Sequence, residues 1–356
     1  MRIGLTYDLR EDYLAMGYDE AQTAEFDRRD TIDAIEQTLQ DLGYRTDCIG
    51  NVMSLAQRLV SGDRWDMVFN IAEGLRGFGR EAQVPALLEA YDIPYTFSDT
   101  LIMSLTLHKG FTKRVIRDAG VPTPDFLVVE DGRQAGPVRF APPFFVKPVA
   151  EGTGKGVTPA SIIRRQEDLA PRCTELISAY RQPVLVEEFL PGREFTVGLV
   201  GTGMDSAVLG SIELHLRAAA EPLIYSYQNK ENCEELVDYR LVHAAGDVAV
   251  REAEAIALQA WRVLGCRDAG RIDVRCDAQG KPQFMEVNPL AGLHPEHSDL
   301  PIICSRIGMP YRTLIEKIML SARTRMNPQR SEAVLRQIFN ARRSAEPQRR
   351  SAEGAV

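Results

Sequence analysis

Gly270-Arg271-Ile272-Asp273-Val274 and Met285-Glu286-Val287-Asn288-Pro289 are two short runs that a single β-hairpin would bring side by side. Strand residues alternate faces. Arg271 and Asp273 are therefore expected on one side with Phe284, Glu286 and Asn288, and Ile272, Val274, Met285 and Val287 on the other, apolar side. If the turn Ala278-Gln279-Gly280-Lys281 closes the hairpin, Asp273 stands opposite Glu286 and Arg271 opposite Asn288. Two carboxylates and an amide beside a guanidinium suit Mg²⁺ and a triphosphate, because both ask for hard oxygen donors and fixed positive charge. Taken alone, the same residues also describe the solvated charged face of a surface hairpin.

Working outward, residues 1–108 alternate strand and helix patterns, with strands at 2–7, 45–49 and 66–70 and an amphipathic helix at 31–42 closed by Gly43. That order predicts a small βαβ unit with a parallel sheet. No Gly-x-Gly-x-x-Gly follows the first strand, so a dinucleotide fold lacks its phosphate loop. The acidic stretch 11–30 that stands there is too polar for a core and too long for an ordinary connection, which predicts a functional loop. After a helix at 109–119, Val121-Pro122-Thr123-Pro124 punctuates the chain, and a central α+β unit spans 109–193. A third unit, 194–325, carries strands at 195–200 and 207–212, a helix at 247–264, the hairpin and a closing helix at 311–321. Residues 326–356 are a polar tail, expected to hold one helix at 332–343 and to be partly disordered.

With 356 residues, 44% hydrophobic and 26% charged, the chain is long enough for two or three compact units of ordinary soluble type. A formal net charge of −8 argues against nucleic acid as a partner. No apolar run approaches a membrane span, and the start of the chain runs straight into strand-like sequence without a leader pattern, so neither a membrane nor export is expected. Six scattered cysteines without Cys-x-x-Cys spacing read as reduced thiols of a cytoplasmic protein.

Glu151-Gly152-Thr153-Gly154-Lys155-Gly156 follows a strand ending in Lys147-Pro148. Its glycines let backbone N–H groups turn toward a phosphate, although the spacing is not that of a P-loop. Lys147, and Lys109 upstream, bring charge toward the same place; each taken singly reads more readily as a surface lysine, and their placement before and beside a glycine loop favours the phosphate reading. Val186-Glu187-Glu188-Phe189-Leu190-Pro191-Gly192 offers an apolar pair suited to a purine, with Glu194 in reach of ribose hydroxyls; an edge strand followed by a turn is the plainer reading.

In order and spacing these pieces resemble the ATP-grasp superfamily: Lys109; Phe145-Val146-Lys147-Pro148 with the glycine loop; Val186 to Val197; Gly270 to Val274; and Glu286-Val287-Asn288. Within it the likeness is to the D-alanine:D-alanine ligases, over about 66–322. The resemblance implies a three-domain ATP-grasp fold, α/β and α+β, with the N-terminal parallel-sheet βαβ domain in front. It further implies an ATP-dependent carboxylate–amine ligase that joins amino acids or small peptides through an acyl phosphate, in a cytoplasmic homodimer. By the same resemblance Lys109 and Lys147 hold the α- and β-phosphates, and the loop of Glu151, Gly152, Thr153 and Gly154 closes over the β- and γ-phosphates. Glu187, Phe189, Leu190 and Glu194 hold adenosine. Asp273, Glu286 and Asn288 hold Mg²⁺, for which Mn²⁺ can substitute. Lys230 is a further phosphate lysine on a mobile loop, Arg271 and the N–H of Gly292 stabilise the oxyanion, and Ser298 falls near a carboxylate-binding serine.

Three departures from that family bear on substrate. The family's first loop has a Ser-x-Glu-type motif whose glutamate holds the first ammonium group; here Glu25 or Asp27 is the candidate for that contact. Its His-Gly segment is Ile71-Ala72-Glu73-Gly74, where Glu73 either meets an amine or caps the segment. The loop from Gly292 to Ser298 is longer than the family's, and His294 and His297 resemble a metal pair that Pro295 disfavours. D-Alanyl-D-alanine is the leading product on this reading. A specialised dipeptide or amide ligase with another acceptor, or a nucleotide-binding regulatory protein without turnover, are the alternatives.

Overall fold

Ile3 and Leu5 are wholly buried on one side of the first strand while Gly4, on the other, lies against Ile49 and Trp65. A strand covered on both faces is the usual centre of a parallel sheet. β1 (Arg2–Thr6) indeed runs between β2 (Arg45–Gly50) and β3 (Met67–Asn70), parallel to both. Helix Arg29–Asp41 covers this sheet with Ile32, Ile35 and Leu39 fully buried at helical spacing. The computed structural model describes residues 1–326 apart from 133, 134, 136 and 137. The expected helix at 332–343 therefore lies outside the described residues.

The second sheet has the order β4-β7-β5-β6, all antiparallel, from β4 (Phe126–Val129), β5 (Phe144–Pro148), β6 (Ile162–Ile163) and β7 (Val184–Glu188). Helix Gln166–Tyr180 backs it with Leu169, Cys173 and Leu176. The third sheet is antiparallel in the order β10-β9-β8-β11-β12, from β8 (Glu194–Val200), β9 (Ala207–Leu216), β10 (Val237–Val242), β11 (Ala269–Cys276) and β12 (Pro282–Asn288). Helix Val248–Leu264, capped by the Asp247 side chain and stopped at Gly265 with φ +74°, buries Ala257, Ala260, Trp261 and Leu264 against it. The closing helix Tyr311–Met326 crosses back to the first sheet, sharing one core with Ile3, Leu5 and Ile32 through Leu314, Ile315 and Ile318. We propose chain divisions at 108/109 and 193/194 because each sheet is built from one of the resulting stretches.

The hairpin β11–β12 pairs Arg271 with Asn288 and Asp273 with Glu286, the expected register. Its faces need one correction. A bulge between Asp273 and Val274 places Val274 opposite Phe284 and leaves Met285 without a partner. Phe284 thereby joins Ile272, Val274 and Val287 in the core, fully buried, while Met285 turns to the polar side. One inserted residue resets the period of two, and nothing in the side chains of Phe284 and Met285 signals it.

The stretch 11–30 is also more ordered than expected of a loop. Helix Arg10–Ala15 opens it, Tyr13 packs on Phe26 at 4.5 Å between ring centroids, and Leu9 bridges to Asp27 beside the first sheet. Tyr13 donates its hydroxyl to Asp8, so two buried polar groups satisfy each other.

Gly270 shows how tightly the hairpin is set. A Cβ there would come within 2.5 Å of the Asn288 carbonyl oxygen and 2.7 Å of the Trp261 ring. Gly270→Ala is expected to lower stability by about 2 kcal/mol through overpacking, read as a fall in Tm. An unchanged Tm would show that β12 gives way freely.

Candidate active site

The polar face of the hairpin looks into two adjoining cavities that share Lys109, Glu151, Tyr225, Lys230 and Glu286 among their walls. The smaller, about 80 Å³, is a narrow cleft between the second and third sheets. Lys147, Lys155, Glu194, Phe145 and Met285 line it. The larger, about 660 Å³, extends from Arg271, Glu286 and Asn288 toward the first sheet.

β5 delivers Lys147 into the cleft, and the N-terminus of helix Lys109–Asp118 delivers Lys109. Lys109 Nζ donates to the Glu151 carbonyl at 2.6 Å and lies 3.7 Å from Glu286; Lys147 lies 3.8 Å from the same carboxylate. Burial alone would raise the Glu286 carboxyl, but Lys109 and Lys147, with Lys230 and Arg271, outweigh it and hold the group well below the usual range. Burial lowers Lys109, whereas for Lys147 the burial cost is overcome by Glu187 and Glu286, which raise it. Arg271 bonds Asp273 and lies 3.4 Å from Asp299; these anions outweigh burial and raise it. Asp273 also accepts from Thr196 Oγ1 at 2.9 Å. Lys230 sits 4.8 Å from the Tyr225 ring, on helix Tyr227–Glu231.

The donor set of Asp273, Glu286 and Asn288 fits a hard divalent cation: two carboxylates and an amide gather on one strand pair, one carboxylate is held ionised, and Asn288 Nδ2 lies 3.4 Å from Asp273. The glycine loop also offers a group in want of a partner. Thr153 Oγ1 is buried with no hydrogen-bond partner among the described residues, at a position with φ +47°. The N–H of Gly152, by contrast, is taken: it donates to Glu25 at 2.5 Å.

Several expected adenosine contacts are placed differently from one another. Glu194 lines the cleft, 3.1 Å from Arg275. Phe189 stacks on Phe145 at 6.4 Å and Leu190 is buried beside it, while Phe145 itself faces the cleft. The Glu187 carboxylate is fully buried, 3.1 Å from Lys147 and 2.9 Å from Lys113. A buried acid needs cations, and helix Lys109–Asp118 supplies the second one from a position that carries no motif.

The larger cavity alone is lined by Glu25, Asp27, Glu73 and Glu81, with Glu25 3.7 Å from Lys155. Arg80, missed in the sequence, donates to Glu25 at 2.9 Å and to the Ala150 carbonyl at 2.9 Å. Burial would raise the Glu25 carboxyl, but Arg80, Lys155 and the Gly152 N–H hold it low. Its ammonium role thus meets competition from a structural one, tying the acidic stretch to the glycine loop. The Asp27 carbonyl accepts the Arg10 N–H at 2.9 Å, but the side-chain carboxylates of Asp27, Glu73 and Glu81 accept no hydrogen bond among the described residues. Burial, with Asp8 and Asp30 nearby, pushes Asp27 up to about 7. Burial and Glu81 raise Glu73. Burial pushes Glu81 up to about 7, with Arg80 opposing and Glu25 adding to the rise.

A carboxyl whose folded value lies near 7 and whose ordinary value is 4.5 costs the fold nothing at low pH and progressively more as pH climbs between the two. Glu81→Gln removes that cost. Its gain in Tm over the parent protein is expected to be larger at pH 8 than at pH 5; an equal gain at both would show that Glu81 titrates normally.

Gly292 and Ser298 face each other across the lengthened loop: a Cβ on Gly292 would lie 2.8 Å from Ser298 Oγ, which accepts the His294 N–H at 3.0 Å. His294 spends Nδ1 on the backbone N–H groups of Glu296 and His297, both at 3.2 Å, and turns Nε2 to Asp30 at 3.3 Å. His297 meets Glu234 at 2.5 Å. The two histidines therefore bridge to the acidic stretch and to the segment after Lys230, and do not converge on one point. Asp299, adjoining Ser298, is a second partner of Arg271 that the sequence reading left without a role.

Comparison with known proteins agrees with this geometry. Residues 115–320 match the family described as D-ala D-ala ligase C-terminus. The chain is 31% identical over 302 residues to the uncharacterized protein y4sG of Sinorhizobium fredii, covering 81% of this chain and 85% of that one. It is 33% identical over 250 residues to the D-alanine--D-alanine ligase of Bordetella avium, covering 69% and 75%. The solved D-alanine--D-alanine ligase of Bacillus anthracis complexed with ATP superposes with a TM-score of 0.67 at 21% identity, over 90% of this chain and 97% of that one, a likeness of fold. With the family matched over the whole of the second and third sheets, this chain belongs to the D-alanine–D-alanine ligase family of ATP-grasp, ATP-dependent carbon–nitrogen ligases.

Proposed function

We propose that this ligase joins two amino acids, or an amino acid and a small peptide, through an acyl phosphate, with ATP in the narrow cleft and the amino-acid substrates in the larger cavity. The observation that carries the reading is the polarity of that cavity. Lys109 and Lys230 are walls of both cavities and Arg271 lines the larger one, whereas Glu25, Asp27, Glu73 and Glu81 line the larger cavity alone. An amino acid lying between them directs its carboxylate to the phosphates and its ammonium to the acids.

The chemistry follows from charge. A substrate carboxylate attacks the γ-phosphorus of ATP and displaces ADP; the amine of the second substrate then attacks the acyl carbon, and the tetrahedral intermediate expels phosphate and leaves the amide. Lys109, Lys147 and Lys230 draw two anions together in the first step, and Arg271 with the Gly292 N–H receives the oxyanion in the second. Mg²⁺, or Mn²⁺ in its place, held by Asp273, Glu286 and Asn288, would neutralise phosphate oxygens during transfer. On this reading Ser298 binds the carboxylate of the second substrate, and Glu151 to Gly154 cover the phosphates and exclude water. The family resemblance supports a homodimer working in the cytoplasm; no helix among the described residues is long and apolar enough to cross a membrane.

The test is phosphate release from ATP and Mg²⁺ with D- and L-amino acids singly and in pairs, followed by mass spectrometry of the product. Turnover with D-alanine alone would make D-alanyl-D-alanine the product. Diamino acids belong in the panel, since a second ammonium would neutralise a further one of these carboxylates. Absence of phosphate release across the panel would overturn the proposal.

A further inference from the structure

Lys113 lies one helical turn beyond Lys109 on the same face of the helix, lines neither cavity and is wholly buried. Its ammonium pairs with Glu187 Oε2 at 2.9 Å and donates to Thr123 Oγ1 at 2.9 Å and to the Phe284 carbonyl at 3.3 Å. Thr123 donates in turn to the same carbonyl at 2.9 Å. Phe284 belongs to β12, two residues before Glu286, and Glu187 belongs to β7 of the other sheet. One buried side chain thus ties together the two sheets that form the nucleotide cleft.

We infer that Lys113 is a positioning residue for ATP: by sharing the Glu187 carboxylate with Lys147, it leaves Lys147 with positive charge to offer a phosphate. Lys147 Nζ lies 3.1 Å from Glu187 Oε1 and faces the cleft. Two ammonium groups stand against one buried carboxylate, so the triad carries a net positive charge toward the nucleotide. Without Lys113, Lys147 and Glu187 become a closed neutral pair, and the carboxylate competes with the phosphate for the same ammonium. Burial depresses Lys113, and Glu187 opposes that depression, which is consistent with a lysine kept charged by its partner. The inference rests on the proposed role of Lys147.

The experiment measures ATP affinity by calorimetry on the full chain with Mg²⁺, alongside KM and kcat. Lys113→Met is expected to weaken ATP binding about tenfold or more, the scale of one charge at a protein site, with the KM of the amino-acid substrate little changed. Lys113→Arg keeps the charge and recovers part of the loss. Lys113→Met with Glu187→Gln removes both buried charges, frees Lys147, and is expected to bind ATP better than Lys113→Met alone. A purely structural lysine would give the reverse order, because the double variant loses more native contacts. If Lys113→Met does not fold, the double variant, which buries no unpaired charge, decides: weak ATP binding there overturns the inference. Strong ATP binding by the parent protein without turnover would count against the ligase reading alone, and no ATP binding would sink both.

Discussion

Asp273→Asn is expected to cut ATP-dependent phosphate release by at least about a hundredfold while leaving the fold intact, judged by Tm. Asp273 lies where β11 is flanked by strands on both sides, held by Arg271 and Thr196 and close to Asn288. The amide keeps the size and one acceptor oxygen, so packing survives. What it loses is the negative charge that a divalent cation needs and that Arg271 uses as a partner. Addition of excess Mg²⁺ or Mn²⁺ is expected to recover only part of the rate. Activity within tenfold of the parent protein would remove Asp273 from the metal site, and survival of nucleotide binding without turnover is the result that separates loss of chemistry from loss of the cleft.

Arg271→Lys is expected to lower kcat by about a hundredfold or more with little change in the KM for ATP. The guanidinium reaches Asp273 through one nitrogen and approaches Asp299 through another, a fork that a single ammonium cannot reproduce. Pairing with two acids orients Arg271 before any substrate arrives, which suits the role proposed for it at the oxyanion that forms during reaction. A matched rise in KM for ATP with unchanged kcat would instead place Arg271 in ground-state nucleotide binding. Asp299→Asn should resemble a weaker version of Arg271→Lys, because it loosens one side of the same fork.

Arg271, Asp273, Glu286 and Asn288 were legible as a group because a tight turn and a period of two leave a hairpin few registers, and the core faces of Ile272 and Val287 select among them. The parallel order of the first sheet was legible for a similar reason: helix-length segments between short apolar strands require crossover connections. The bulge at Met285 was not, since the choice between pairing and skipping one residue is made by what packs behind it, here Trp261 and the helix above Phe284. Nor was Arg80, whose partners Glu25 and Ala150 lie 55 and 70 residues away.

Local chemistry along the chain therefore determined the elements, their order and the groups that line the cleft, each of which sits in a short motif whose spacing a strand or loop must respect. Tertiary structure alone decided how charge is shared among them. Whether Glu187 faces a base or two lysines, whether Glu25 is free for an amine or bound to Arg80 and Gly152, and whether Asp27, Glu73 and Glu81 line one cavity depends on distances between segments far apart in sequence. Coulomb energies and burial costs are functions of those distances, and no residue type carries them on its own.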